Sequence, residues 1–239
     1  SSLSLQNGAN SNSAFGSMSA ENLTTGSNNN VFGYNGLHIE TTGESNSCFG
    51  NSSLSNQVGA SSNCAFGSLA GFSLTVGSFN NIFGHSALET ETTGAYNCAY
   101  GFNTLQEQVG VSGTSAFGSF AGQNLTSGAQ NCIFGRSALS TETVGAQNSV
   151  FGYESFLTAL NSHGNVGVGY HTGFGFASYT NCTFLGNLAN ATSSGLTNAT
   201  AIGYNAAVSA SNSLILGAGA NVGIGTSTPA NKIHMVGTF

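Results

Sequence analysis

A short apolar triplet closed by glycine recurs along the chain: Ser13-Ala14-Phe15-Gly16, then Asn30-Val31-Phe32-Gly33, then Ser47-Cys48-Phe49-Gly50. Its aromatic member forms the series Phe15, Phe32, Phe49, Phe66, Phe83, Tyr100, Phe117, Phe134 and Phe151, always 17 residues apart, and Val168, Leu185 and Ile202 continue it. Glycine follows each, from Gly16 to Gly203. Four residues before the glycine stands an amide: Asn12, Asn29, Asn46, Asn63, Asn80, Asn97, Asn131, Asn148 and Asn165, with Thr114 the one exception in that stretch. Helical repeats need about 33 residues or more, so this period is too short for them. It predicts two short strands and two turns per unit, which is one coil of a β-solenoid. The fold class expected is therefore all-β, a β-solenoid or β-roll of twelve 17-residue coils.

Stacked coils place like residues above one another. Phe is expected inside, as an aromatic stack, and Asn as an amide ladder from coil to coil. Eleven intervals at strand spacing give a rod roughly 53 Å long. The triplets show no clean alternation of apolar and polar positions, which predicts strands covered on both faces. Several copies packed around a common axis would supply that cover, so a homo-oligomer is expected.

A longer period rides on the first. Gly8, Gly59 and Gly110 are 51 apart, as are Leu23, Leu74 and Leu125, and Glu40, Glu91 and Glu142. Blocks run 7–57, 58–108 and 109–159, with divergent coils over 160–203; residues 1–203 read as the repeat shaft. Recent duplication and a true three-coil unit both account for the blocks. The period breaks after Gly203, so 204–239, with the only proline (Pro229) and Lys232, reads as a transition or cap module.

Composition narrows the partners. Only 4% of the 239 residues are charged, with 2 basic residues and 8 acidic ones, all Glu, against about 25% in ordinary domains. A nucleic-acid partner is excluded for want of a basic patch. No apolar run approaches the roughly 20 residues of a spanning helix, so membrane insertion is not expected. No basic-then-apolar leader is visible, which suggests a processed chain or a fragment. The 5 cysteines contain no CxxC pair and are expected as small buried residues. No cofactor is expected.

The acids offer little chemistry. Glu40, Glu91 and Glu142 lie three coils apart, about 14 Å, beyond the roughly 5–9.5 Å of a glycosidase pair. They are expected on the solvated surface. Glu89 and Glu91 are spaced to share a face. Of the histidines, His163 and His171 are the places where a three-fold axis would assemble a metal site, although surface or loop positions are the plainer expectation and no metal is assigned. Turn positions vary most between units. Tyr34, His85, Phe102, Arg136 and Tyr153 are the candidate surface-binding residues, of types that suit sugars; simple turn variation is the plainer reading.

The unit Asn-x-x-Phe-Gly-x-Ser-Ala-Leu-x-x-x-Thr-x-Gly resembles the repeats of phage and large-virus tail fibres. It is also similar to the head repeats of trimeric autotransporter adhesins. The segment Val222-Gly223-Ile224-Gly225-Thr226 with Pro229, Lys232, Ile233 and His234 resembles the stretch just upstream of an endosialidase-type intramolecular chaperone. The resemblance implies a homotrimeric, left-handed β-helical fibre, often matured by self-cleavage of that chaperone. The expected function is a structural fibre, shaft or adhesive tip, of an extracellular virion or cell appendage, with host or glycan attachment and no catalysis. A bacterial surface adhesin head is the alternative. An ice-binding solenoid is a further one, suggested by the rows Thr41, Thr92, Thr143 and Thr24, Thr75, Thr126.

Overall fold

The computed structural model describes Leu3 and residues 11–236. Gly8 of the offset glycine series lies outside the described residues.

The chain is an all-β parallel solenoid of about 12 coils of about 17 residues. The first coil gives the strand Ser13–Phe15, the second Asn30–Phe32, and so on through Thr200–Ile202 and a final Leu214–Leu216, all in one 13-stranded sheet. Register is one coil per step: Ala14 pairs with Val31 and Phe15 with Phe32. The sheet thus continues past Gly203, and its last step is shorter, with Thr200 opposite Leu214. Val222–Ile224 and Ile233–Met235 then pair as a separate two-stranded sheet.

The expected second strand per coil is replaced by turns in most coils. Among the described residues only Asn190–Ala191 and Ala207–Val208 form one. The reason lies in the backbone. Asn35, Leu37 and Ser45 have φ of 58°, 48° and 59°, and left-handed residues interrupt extended chain. Each costs about 1–2 kcal/mol. The coils still bond one another there, as in Leu37 N–H to Ser53 C=O at 3.0 Å and Asn35 N–H to Ser17 C=O at 3.0 Å, so the stack holds these residues in place.

The glycine after each aromatic has a steric cause. Gly84 sits at φ 143°, and a Cβ there would lie 2.1 Å from the carbonyl oxygen of Gly101 in the next coil. Only glycine lets the two coils approach.

The core is made from the middle residue of each strand, such as Val31, Cys48, Ala65 and Ile82, and from a leucine series including Leu37, Leu54 and Leu88, all fully buried. The aromatic series does not lie inside. A three-residue strand puts its first and third residues on one face and its second on the other, and the second faces the core. Phe15, Phe32 and Phe151 are 74%, 42% and 38% exposed; Phe49, Phe66, Phe83, Tyr100, Phe117 and Phe134 are half-buried. The rings do stack, on the outer face: from Phe32 to Phe151 successive centroids are 4.6–5.1 Å apart and planes differ by 2–11°. The interior admits a ring only where space is made for it. Phe156 is buried beneath Gly167, where a Cβ would meet its ring at 2.4 Å.

The asparagine ladder is internal. Asn46 donates its main-chain N–H and its Nδ2 to Asn29 Oδ1 at 2.9 and 3.1 Å, and Nδ2 also reaches the Ala60 carbonyl at 3.0 Å. Asn29, Asn63, Asn80, Asn97, Asn131 and Asn148 repeat the theme, all of them buried. Thr114 breaks the ladder. Its Oγ1 and the facing Gln108 Oε1 are buried without a hydrogen-bond partner.

The 51-residue period has a structural basis. One corner of the coil carries Leu23, Glu40, Gln57, then Leu74, Glu91, Gln108, then Leu125, Glu142 and Ala159, every one fully buried. A corner of three alternating residue types requires a three-coil cycle.

Candidate functional site

The glutamate column is not the solvated acid row expected from sequence. Glu91 Oε1 accepts the main-chain N–H groups of Thr92, Thr93 and Gly94 in its own turn at 2.8, 3.0 and 2.7 Å, and that of Gly110 in the next coil at 2.6 Å. Its Oε2 takes Gln108 Nε2 at 3.2 Å and Val111 N–H at 3.1 Å. Glu40 and Glu142 fold back in the same way over Thr41-Thr42-Gly43 and Thr143-Val144-Gly145. These N–H dipoles stand in for a counter-cation and make the burial tolerable. A carboxylate so engaged is a turn clamp with no face toward a substrate. The signal was present in the spacing: Leu23 and Glu40 are 17 residues apart, so the leucine and glutamate series share one coil position. Glu89 does not share the face of Glu91. It is half-exposed and receives Gln106 Nε2 at 2.9 Å.

The two threonine rows also merge into one column, broken by the exposed Val58 and Val109. The hydroxyls of Thr24, Thr75 and Thr126 donate to the carbonyls of Thr41, Thr92 and Thr143 at 2.8–2.9 Å.

The turn residues Tyr34, His85, Phe102, Arg136 and Tyr153 occupy one position of the coil, just after the conserved-spacing glycine, and form an open column on the outside. No pocket is found among the described residues. The structure brings them together in pairs. His85 stacks on Phe102 at 5.4 Å between centroids. Arg136 Nη1 donates to the Tyr153 hydroxyl at 2.9 Å, with its guanidinium carbon 5.6 Å from that ring's centre. Tyr34 stands apart, three coils before His85.

Around Arg136 and Tyr153 lies a larger cluster. Tyr153 stacks on Tyr170 at 5.6 Å and 10°, Tyr170 on His171 at 3.9 Å, and His171 on Phe174 at 4.8 Å. His171 Nε2 is 2.7 Å from Glu154 Oε2. A hydrogen bond with Glu154, more than desolvation, pushes the Tyr153 phenol above its ordinary range. Tyr170 was legible as the residue 17 beyond Tyr153; a second exposed pair, Phe79 and Tyr96, stacked at 5.0 Å, follows the same spacing. The extended, partly exposed ring surface with one guanidinium and one His–carboxylate pair is suited to stacking and hydrogen bonding with a flat polar ligand. His163 is exposed on another turn, where its Nδ1 accepts the Ala146 N–H at 3.1 Å. Among the described residues no group of three His, Cys or acidic side chains is placed to hold a metal ion.

All five cysteines are free thiols. Cys48 and Cys182 are buried, and burial pushes the Cys48 thiol up to about 12. Cys64, Cys98 and Cys132 are only half-buried, on the outer sheet face beside the aromatic column. No helix among the described residues is long and apolar enough to cross a membrane.

Comparison with protein-family models, curated proteins and solved structures finds no match to this chain.

Proposed function

We propose that the chain is the shaft of a structural fibre, a rod displayed outside a virion or cell and built from several parallel copies, three by expectation. The observation that carries this reading is the unbroken 13-stranded parallel sheet, in which every coil repeats the hydrogen bonds of the last. Such a stack resists bending and leaves proteases few loose segments. The reading is non-catalytic: the three buried glutamates are spent on their own turns, and no second acid faces them. Light scattering on a sizing column under native conditions tests it. Three chains of 24.0 kDa eluting together support the fibre, and a one-chain mass overturns it.

Attachment is the second role, favoured by the Arg136–Tyr153–Tyr170 surface. Aromatic faces stack on the apolar faces of pyranose rings, and a guanidinium hydrogen-bonds sugar hydroxyls or carboxylates. A glycan array probed with the protein and with Tyr153→Ala/Tyr170→Ala tests this role. Glycan binding that the double variant loses supports it. No binding, or binding that survives in the variant, refutes it. An adhesin head would use the same rod with a different attachment. The ice-binding reading is weaker, because the threonine hydroxyls donate to main chain and valine interrupts their column.

A further inference from the structure

The outer sheet face is unlike the rest of the surface. Its two columns are the aromatic series and the residues two positions before them, among them Cys64, Cys98 and Cys132. Neither column contains a charged residue over the whole sheet, although the chain carries a formal net charge of −6. The ring column is costly to leave in water, the companion column is mostly Ser, Asn and Cys, and neither meets charge repulsion from a like face.

Two features identify what covers it. The first is pitch. The rings from Phe32 to Phe151 repeat at 4.6–5.1 Å, and a partner must repeat at that interval to meet them all. A second stack of the same coils does so at every level, whereas an irregular globular surface does not. The second is area. Strands of three residues over eleven intervals give a face about 10 Å by about 53 Å, so two copies cover on the order of 1,000 Å², the threshold of a specific interface.

We propose that this face is the seam along which parallel copies of the chain associate, with equal coils at equal heights. The proposal rests on the multi-chain rod proposed above and adds to it the face and the orientation. Cys64, Cys98 and Cys132 follow one another at intervals of two coils, about 10 Å per step. In the parallel seam each lies level with its own counterpart. An antiparallel seam pairs Cys98 with itself but Cys64 with Cys132.

The test uses the full chain with single outer-face cysteines: C98S/C132S, C64S/C132S and C64S/C98S. Cys48 and Cys182 stay, and C64S/C98S/C132S is the control for them. A short bismaleimide is added at neutral pH, with native mass measured in parallel. The expected result is a covalent dimer from each of the three variants and none from the control. Cross-linking of the Cys98 variant alone, with Cys64 joining Cys132 only when those variants are mixed, overturns the parallel orientation. A multi-chain native mass with no cross-link at any of the three overturns the seam and leaves the multi-chain rod standing. A one-chain mass overturns both. Phe83→Glu/Phe117→Glu supplies an independent reading: it should reduce the assembly to single chains with unchanged far-ultraviolet dichroism, and an intact assembly refutes the seam.

Discussion

Thr114 is the place where one substitution should improve the molecule. Its equivalent one block earlier, Asn63, donates Nδ2 to Gln57 Oε1 at 2.9 Å and to the Gly77 carbonyl at 2.8 Å. Asn63 Oδ1 in turn accepts the N–H and Nδ2 of Asn80 at 2.9 and 3.1 Å. At Thr114 both Gln108 Oε1 and Thr114 Oγ1 are buried and unpaired. Asn131 turns its Nδ2 to Gly128 at 3.0 Å, the carbonyl that an asparagine at 114 would use. Thr114→Asn therefore restores the whole set. An unpaired buried polar atom costs about 1–3 kcal/mol, so removing two should stabilise by about 2–4 kcal/mol. For a chain of this size that corresponds to a rise of roughly 5–10 °C in apparent melting temperature. The assay is thermal unfolding followed by far-ultraviolet dichroism, with Thr114→Val as control. Valine removes the Oγ1 orphan but leaves Gln108 unpaired, and should gain less. If Thr114→Asn melts at or below the parent temperature with an unchanged native spectrum, the ladder argument is wrong.

Three further outcomes follow from the same geometry. Glu91→Gln turns an NH₂ toward main-chain N–H groups that now share a carboxylate, and chemical denaturation should show a loss of about 2–4 kcal/mol; a neutral result refutes the clamp. Gly84→Ala forces a Cβ against the next coil's backbone at 2.1 Å and should cost more than about 4 kcal/mol, read as loss of folded protein on expression or a collapsed melting temperature. Raising the pH should weaken the fold. The unfolded Cys48 thiol ionises near 9.0 and the folded one near 12, so the unfolded state sheds its proton first. Stability is intact below pH 9 and falls by about 4 kcal/mol by pH 12. Cys48→Ala should flatten melting temperature against pH just above 9, and an unaltered slope there counts against this origin. Tyr179, whose buried phenol is also pushed up from 10.0, adds its own loss at higher pH.

The coil length and the ladder were legible because they are written in residues with no substitute. Gly84 and its counterparts admit no Cβ, and the asparagines meet at one height. The position of the aromatics was not, because a three-residue strand has two faces and the larger residue is not always the inner one. Ala65 and Ile82 fill a lumen too narrow for a ring per coil, which leaves Phe66 and Phe83 outside. The glutamates misled because their partners are main-chain N–H groups, which leave no trace in composition. At the candidate surface, Arg136 and Tyr153 were visible as turn variants. Their link to His171 and Glu154 was not, since it depends on which side chains lean toward one another across a coil boundary.

The three-coil corner makes the rod a ruler with coarse graduations. Gln57 and Gln108 each hold the glutamate of the coil before, and Leu74 and Leu125 begin the next cycle. Deleting the 17 residues of a glutamine coil would leave a glutamate followed by a leucine in place of its amide, whereas a change of 51 residues keeps the order of this corner. Length can therefore be traded in steps of three coils, about 14 Å each, with the order of this corner kept. The cycle stops at Ala159, which follows Glu142 without an amide, so that Glu142 Oε2 keeps only the Ser162 N–H at 2.9 Å, the counterpart of Val111 N–H on Glu91. That substitution releases the later coils from the count.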